Sequence, residues 1–366
     1  MERKIAIIFG GKSAEHEVSL ASATNICNAM DCKRFTPVLL GIDKKGEWCY
    51  DKEYPTTGVN LVKNDYFSKA EHVYLSSSKS HIQVIEKKSN RVLADFDVVF
   101  PIVHGTFGED GTLQGILKSL DVPFVGPDVL GSAIAMDKDM AKRLFRSAGI
   151  PVASSYTLYK HDASSYTFEQ IAARLGLPCF VKPANAGSSV GVSKVTNEAE
   201  YLNALQEGFR YDNKILVEEA VVGKELECGV LGNEEAHASV VGEIVATESF
   251  YSYDAKYISS TGATLQVPAR IDAALSDSIR EYAVRAFHAI GCEGMARVDF
   301  LLSDSGKLVL NEINTLPGFT AISMYPKMWE QTGVPEKELI TELIMLAVRR
   351  HERDTNLSVA VKPSDK

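Results

Sequence analysis

The stretch MARVDFLLSDSGKLVLNEINTLPG, residues 295–318, decides most about the fold. Two runs within it, Met295–Leu302 and Lys307–Asn314, alternate apolar and polar residues. The segment Ser303-Asp304-Ser305-Gly306 between them is turn chemistry, so the stretch predicts a β-hairpin. A four-residue loop pairs Leu302 with Lys307, sets Arg297 opposite Glu312 and puts Asp299 opposite Leu310. Side chains alternate between faces along a strand. Arg297, Asp299, Glu312 and Asn314 then share one face, and Ala296, Val298, Phe300, Val309 and Ile313 form a core face. A loop one residue shorter or longer would break this register.

Two carboxylates, an amide and a guanidinium on one face have two readings. One is a solvated surface with a cross-strand Arg–Glu pair. The other is a Mg²⁺ site, since magnesium takes oxygen ligands and completes its shell with substrate phosphates. Asp299, Glu312 and Asn314 would supply the oxygens, and Arg297 would hold an anion. Thr315-Leu316-Pro317-Gly318 follows as a turn whose glycine lets a substrate approach the backbone.

Upstream, Lys4–Phe9 is a buried-strand pattern ending in Gly10-Gly11, and helical spacing follows through Val18, Ala21 and Ile26. Thr36–Ile42 and Asp97–Val103 are further strand candidates. Strand, glycine turn and helix in repetition predict a doubly wound α/β sheet with its ligand groups at the carboxyl ends of the strands. Glu15 and His104 both fall at such ends. Residues 44–90 are polar and weakly periodic and read as an insertion. A new unit begins near Met136, with Lys138, Asp139 and Lys142 on a helix that Gly149-Ile150-Pro151 ends. Lys182 follows on a short strand, then the loop Ala186–Gly191, whose small residues can fold over phosphates or form a plain turn. Ser276–Ile290 is helical, Lys337–Arg350 is the last helix, and the polar segment 351–366 is a tail. Gly11-Lys12-Ser13 only imitates a P-loop, because Ala6 stands where that motif needs glycine.

The chain has 366 residues, enough for two or three domains at about 100–200 residues each. Its 39 Lys and Arg against 48 Asp and Glu give a formal charge of −9, which disfavours nucleic acid as a partner. No apolar run is long enough for a membrane span or a signal peptide. Cys27, Cys32, Cys49, Cys179, Cys228 and Cys292 are scattered without a C-x-x-C pair, the pattern of reduced thiols in a cytoplasmic protein.

His104-Gly105-Thr106-Phe107-Gly108-Glu109-Asp110-Gly111-Thr112-Leu113-Gln114-Gly115 resembles the N-terminal signature of the D-alanine–D-alanine ligases. Arg297-Val298-Asp299 with Leu310–Gly318 resembles their second signature. Gly10–Leu20, Met136–Lys138, Lys182–Lys194 and Tyr253–Tyr257 follow the same family pattern in order, so the likeness runs from about residue 4 to 350. It implies an N-terminal α/β domain (1–137) and a two-lobed ATP-grasp fold of α+β type, with a central lobe (138–219) and a C-terminal lobe (220–350).

The resemblance also implies roles. ATP is the co-substrate, held by Lys138 and Lys182 at its phosphates under the Ser188-Ser189 loop. Glu218, Glu219 and Val221 lie along the adenine, although some relatives carry Lys-Trp where this chain has Glu219-Ala220, and Glu225 takes the ribose hydroxyls. Asp299, Glu312 and Asn314 bind two Mg²⁺, with Mn²⁺ a candidate substitute. Glu15 holds the ammonium of the first D-alanine, with His104 nearby. Arg297 and the Gly318 N–H stabilise the oxyanion. Lys256 and Ser323 meet the carboxylate of the second D-alanine, with Met324 in the same substrate-binding set, and Tyr257 hydrogen-bonds toward Glu15 and Ser188. The implied product is D-alanyl-D-alanine for peptidoglycan, made by a cytoplasmic homodimer with no nucleic-acid or membrane partner. A D-alanine–D-lactate ligase, another ATP-grasp carboxylate–amine ligase and a non-catalytic sensor are the alternatives.

Overall fold

The computed structural model describes residues 3–63, 65–78, 81–246 and 263–358. The first region runs β1 (Arg3–Gly10), α1 (His16–Ala29), β2 (Phe35–Ile42), β3 (Trp48–Tyr50), β4 (Glu71–Ser78), β5 (His81–Glu86), β6 (Val92–Phe96), β7 (Val98–Pro101), α2 (Thr112–Ser119) and α3 (Val129–Met136). Ile5 to Phe9 are wholly buried, so β1 has to be an interior strand. It lies between β2 and β7 and runs parallel to both. The carboxyl ends of these strands therefore open on one crevice. Residues 44–90 are not irregular. They supply β3, β4 and β5, which continue the sheet antiparallel in the order β6-β5-β4-β3-β2-β1-β7. Their periodicity is weak because much of β4 faces solvent and only Val73 of that strand is buried.

The second region holds α4 (Lys138–Ser147), β8 (Ser155–Tyr159), α5 (Phe168–Leu175), β9 (Cys179–Pro183), β10 (Ser193–Val195), α6 (Glu198–Tyr211) and β11 (Lys214–Glu219). Its strands form an antiparallel sheet in the order β10-β9-β11-β8. Asp137 caps α4, accepting from the N–H groups of Asp139 and Met140 at 3.1 Å each. Lys138 is thus the first helical residue, and Lys142 follows one turn later on the same face.

The third region holds β12 (Gly223–Gly232), β13 (Ala236–Ala246), β14 (Ala263–Gln266), α7 (Ala273–Ala289), β15 (Gly294–Ser303), β16 (Leu308–Asn314), α8 (Met324–Gln331) and α9 (Glu336–Thr355). The sheet order is β14-β13-β12-β15-β16. Ile279, Ala283, Ala286 and Phe287 of α7 share a core with Leu226 of β12 and with Ala296, Val298 and Phe300 of the expected core face of the hairpin. Helix α9 instead returns to the first sheet. Leu339, Ile340, Leu343 and Ile344 share one core with Ile5, Ile7 and Phe100. It also outruns its expected end at Arg350, because Arg353 in the supposed tail is held by Glu293 at 2.6 Å.

The hairpin register differs from the expected one. Lys307 stays in the turn, where its carbonyl accepts from Ser303 N at 2.9 Å. Leu302 pairs with Leu308, and Phe300 with Leu310. That one-residue slip alone would turn β16 over and send Glu312 to the core side. A bulge at Asn311 turns the strand back. Beyond it, Asp299 faces Glu312 and Arg297 faces Asn314. The four side chains share a face as expected, but through a different pairing.

Candidate active site

Glu15 lies at the mouth of the parallel crevice, just ahead of α1 and after the left-handed Gly10 and Gly11 (φ +89° and +100°). It is buried, and Ser188 Oγ donates to its Oε1 at 2.5 Å. Ser188 and Ser189 both adopt left-handed backbone, with φ of +52° and +59°. For non-glycine residues this costs about 1–3 kcal/mol each. The loop closes on itself through Val190 N to Gly187 O at 3.1 Å and Val192 N to Ser189 O at 3.3 Å.

His104 follows β7 and is buried. One ring nitrogen, Nδ1, bonds Leu316 O at 3.0 Å, and Nε2 lies 3.3 Å from Ser22 Oγ. Ser22 Oγ also accepts from Phe319 N at 3.2 Å. The network assigns the proton to Nδ1, and burial keeps the ring's pKa down. His104 therefore fastens the turn after β16 to the N-terminal crevice. Glu109 fastens the same turn, accepting from Gly105 N at 2.7 Å and from Leu316 N at 3.1 Å. Burial, and then the neighbouring Glu15, push its carboxyl up to about 8.

Across the cleft, Lys138 Nζ donates to Ala186 O at 2.7 Å and lies 3.6 Å from Glu312 Oε2. Lys182 on β9 pairs with Glu218 Oε2 at 2.5 Å. Burial raises the Glu218 pKa, but Lys142 and Lys182 together outweigh it and hold the carboxyl below the usual range. Glu219 has its side chain elsewhere: Oε1 accepts from Ser154 N at 2.7 Å and from Lys307 Nζ at 2.6 Å, joining β11 to the hairpin turn. Val221 lies between β11 and β12, and Glu225 on β12 stands opposite Leu301 and Ile244.

On the hairpin face, Arg297 donates to both oxygens of Asp299, Nε and Nη2 each at 2.7 Å. Its Nε also lies 3.2 Å from Glu227 Oε2. Asn314 Nδ2 donates to Asp299 Oδ2 at 2.9 Å. Glu227, Asp299 and Glu312 occupy one row across β12, β15 and β16. Among the described residues no cluster of three or more His, Cys, Asp and Glu is placed to hold a metal. The expected set is a different one, two carboxylates and an amide, and its chemistry fits Mg²⁺. It offers oxygen donors on one face, and its two carboxylates supply the negative charge a divalent cation takes. Gly318 stands close to Ser323, whose Oγ a Cβ at 318 would meet at 2.9 Å. Met324 is buried with its sulfur against Gly242. Lys256 and Tyr257 lie outside the described residues.

Four groups at this site have no role in the sequence expectations. Lys142 was signalled only by its four-residue spacing from Lys138, and Glu227 only by its alternation with Glu225. Glu109 lay unsingled in a quoted motif. Asn311 stands within the second signature, but nothing in its residue type marks it as a bulge.

Residues 4–127 match the family model described as D-ala D-ala ligase N-terminus, and residues 144–345 match D-ala D-ala ligase C-terminus. A D-alanine–D-alanine ligase of Oceanobacillus iheyensis is 52% identical over 359 residues, covering 98% of each chain. The D-alanine–D-alanine ligase A of Escherichia coli K12 is 49% identical over 367 residues, 98% of this chain and 99% of its own. Among solved structures, the D-alanine-D-alanine ligase from Coxiella burnetii superposes with a TM-score of 0.85 at 36% identity, covering 97% of this chain and 96% of that one. The VanG D-Ala:D-Ser ligase from Enterococcus faecalis gives 0.84 at 38% identity over 95% and 100%.

Proposed function

This chain belongs to the D-alanine–D-alanine ligase family, and from that premise we propose how its cleft works. The reaction is ATP-dependent ligation of two D-alanines to D-alanyl-D-alanine, a peptidoglycan precursor. A carboxylate oxygen of the first D-alanine bonds to the γ-phosphorus as the bond to the ADP oxygen breaks. The amine nitrogen of the second then bonds to the carbonyl carbon of D-alanyl phosphate. It gives up a proton, and the carbon–oxygen bond to phosphate breaks.

One observation carries the assignment of the site: residues from the three regions of the chain approach one another. Glu15 comes from the first, Ser188 from the loop after β9 lies on it at 2.5 Å, and Lys138 lies 3.6 Å from Glu312 of the third. In this reading Glu15 takes the first ammonium, and His104 holds the loop beside it. Lys138 and Lys182 hold the phosphates, with the Ser188-Ser189 loop over them. Glu218, Glu219 and Val221 run along the adenine, and Glu225 takes the ribose. Asp299, Glu312 and Asn314 would hold two Mg²⁺, or Mn²⁺ in their place, and bound ions spread the charge of the transferring phosphoryl group. Arg297 and the Gly318 N–H receive the oxyanion; one such fixed donor is worth roughly 10²–10³ in rate. Lys256, Ser323 and Met324 receive the second D-alanine, and Tyr257 completes the link between Glu15 and Ser188.

The separation of the three sheets along the chain supports units at 1–137, 138–219 and 220–350. A cytoplasmic homodimer is the family-level reading. Among the described residues no helix is long and apolar enough to cross a membrane. The test is ADP release with ATP, Mg²⁺ and D-alanine, against L-alanine, D-lactate and D-serine as alternative substrates. ADP and D-alanyl-D-alanine should form in equal amounts, with D-alanine preferred as nucleophile. ADP without dipeptide, or a preferred D-lactate or D-serine product, would overturn the reading.

A further inference from the structure

Lys142 has no part in the reaction described so far. It leaves the same face of α4 as Lys138, but it points inward where Lys138 reaches the hairpin acids. Its side chain is 1% exposed, and Nζ lies 3.0 Å from Glu218 Oε1. Glu218 is equally shut off, with 5% of its side chain exposed, and its second oxygen holds Lys182 at 2.5 Å. Lys182 Nζ also lies 3.4 Å from Asn311 Oδ1 on the hairpin. One buried carboxylate thus bridges two lysines, and only the outer one touches the third sheet.

Packing alone does not account for an ammonium at this position. A leucine or methionine would fill similar space without desolvating a charge, which costs several kcal/mol per ion. Nucleotide chemistry supplies a reason. A phosphate oxygen that takes Lys182 must draw it away from Glu218. Were Lys182 the sole cation on Glu218, that withdrawal would strand a buried carboxylate. With Lys142 on Oε1, Glu218 keeps a counter-ion throughout.

We infer that Lys142 is a positioning residue for nucleotide binding, neutralising Glu218 so that Lys182 is free to turn onto the phosphates. Burial draws the Lys142 pKa down to about 8 against the pull of Glu218, in keeping with a charge maintained by that one partner. The inference rests on the assignment of Lys182 to the phosphates, and its test separates the two.

The measurement is ADP affinity of the full chain by calorimetry at constant Mg²⁺ and pH, with KM for ATP and kcat alongside. Lys142→Met should weaken ADP binding by about ten-fold or more, as for one lost charge-assisted contact. It should raise KM for ATP far more than it lowers kcat. The decisive variant adds Glu218→Gln to Lys142→Met, which removes the carboxylate that needs the counter-ion. Measured against Glu218→Gln alone, which shares any loss at the adenine, this double variant should show no further loss of ADP affinity. A purely structural lysine predicts the opposite, because two core lesions accumulate. If the methionine variant does not fold, Lys142→Gln gives the same comparison with a polar tip left on Glu218. If Lys182→Ala leaves ADP binding unchanged, the site assignment fails and the inference with it. If Lys182→Ala weakens binding but Lys142→Met does not, or Lys142→Met costs as much affinity in the Glu218→Gln background as in wild type, this inference alone is overturned.

Discussion

Replacing Glu109 by glutamine tests the fastening that joins the loop after β7 to the turn before Gly318. Glu109 accepts one N–H from each side, Gly105 at 2.7 Å and Leu316 at 3.1 Å. Burial, then Glu15, move its carboxyl from the ordinary 4.5 to about 8. Between those values the folded chain keeps a proton that the unfolded chain has lost. The unfolded state therefore binds fewer protons, and stability falls as pH rises. The stabilisation is full below about pH 4.5 and gone above about pH 8. Its slope is about 1.4 kcal/mol per pH unit, or about 4–5 kcal/mol across the window as an upper bound.

Glutamine does not titrate. The unfolding free energy of Glu109→Gln minus that of wild type should climb from about pH 5 to 8 and then level off. At the acid end the variant should be the weaker by about 1–3 kcal/mol, because its NH₂ group cannot accept one of the two N–H donors. The assay is urea unfolding of both proteins over that pH range at constant ionic strength. A difference that stays flat, or that falls with pH, would refute the account of a carboxyl held protonated by its surroundings.

Asp299→Asn and Glu312→Gln should each leave a folded protein that has lost nearly all turnover; near-normal rates at saturating Mg²⁺ would make the hairpin face an ordinary surface. Glu15→Gln should raise KM for the first D-alanine far more than KM for ATP, since a charged hydrogen bond is worth about 1.5–3 kcal/mol; equal effects would remove Glu15 from the substrate site. Tyr257→Phe should narrow the preference for D-alanine over D-lactate as nucleophile, read from both products in a direct competition. Arg350→Met should lower stability by about 2–4 kcal/mol, because the buried guanidinium donates to Gly126 O at 2.5 Å and Phe124 O at 2.7 Å. That variant should leave both KM values near wild type, and a shift in either would mean α9 also shapes the site.

What was legible in the chain was whatever a local pattern dictates. Five apolar residues in a row closed by Gly10-Gly11 are too short for a buried helix and fit an interior strand, so β1 could be read at once. The spacing of Ile279, Ala283, Ala286 and Phe287 admits only a helix with one buried face. The acids of the hairpin announced themselves by alternation, yet their pairing did not. Ser-Asp-Ser-Gly does not set how many residues the turn takes, and the compensating bulge has no signature. The strands within residues 44–90 were hidden because an antiparallel strand with one side toward solvent, as in β4, needs few apolar residues. Lys142 and Glu109 looked like ordinary polar residues, since the burial of a charge is decided by distant segments. Roles such as that of Glu225 came from family likeness, because no spacing marks a ribose ligand.

The bonds of His104, Glu109 and Arg350 also bear on the order in which the protein is made. The first sheet leaves the ribosome first, yet residues at the far end complete it. His104 finds its acceptor at Leu316, 212 positions later, and Glu109 shares that loop through Leu316 N. The carbonyls of Phe124 and Gly126 wait still longer, for Arg350 on the last helix. A nascent chain that has not reached Leu316 therefore has a crevice loop whose His104 Nδ1 lacks its acceptor and whose Glu109 carboxyl has only the Gly105 N–H. The first sheet can form early, but the loop that would meet substrate settles only when synthesis is nearly over. A chain cut short between Leu316 and Arg350 would have the partners of that loop but leave the Phe124 and Gly126 carbonyls without their guanidinium.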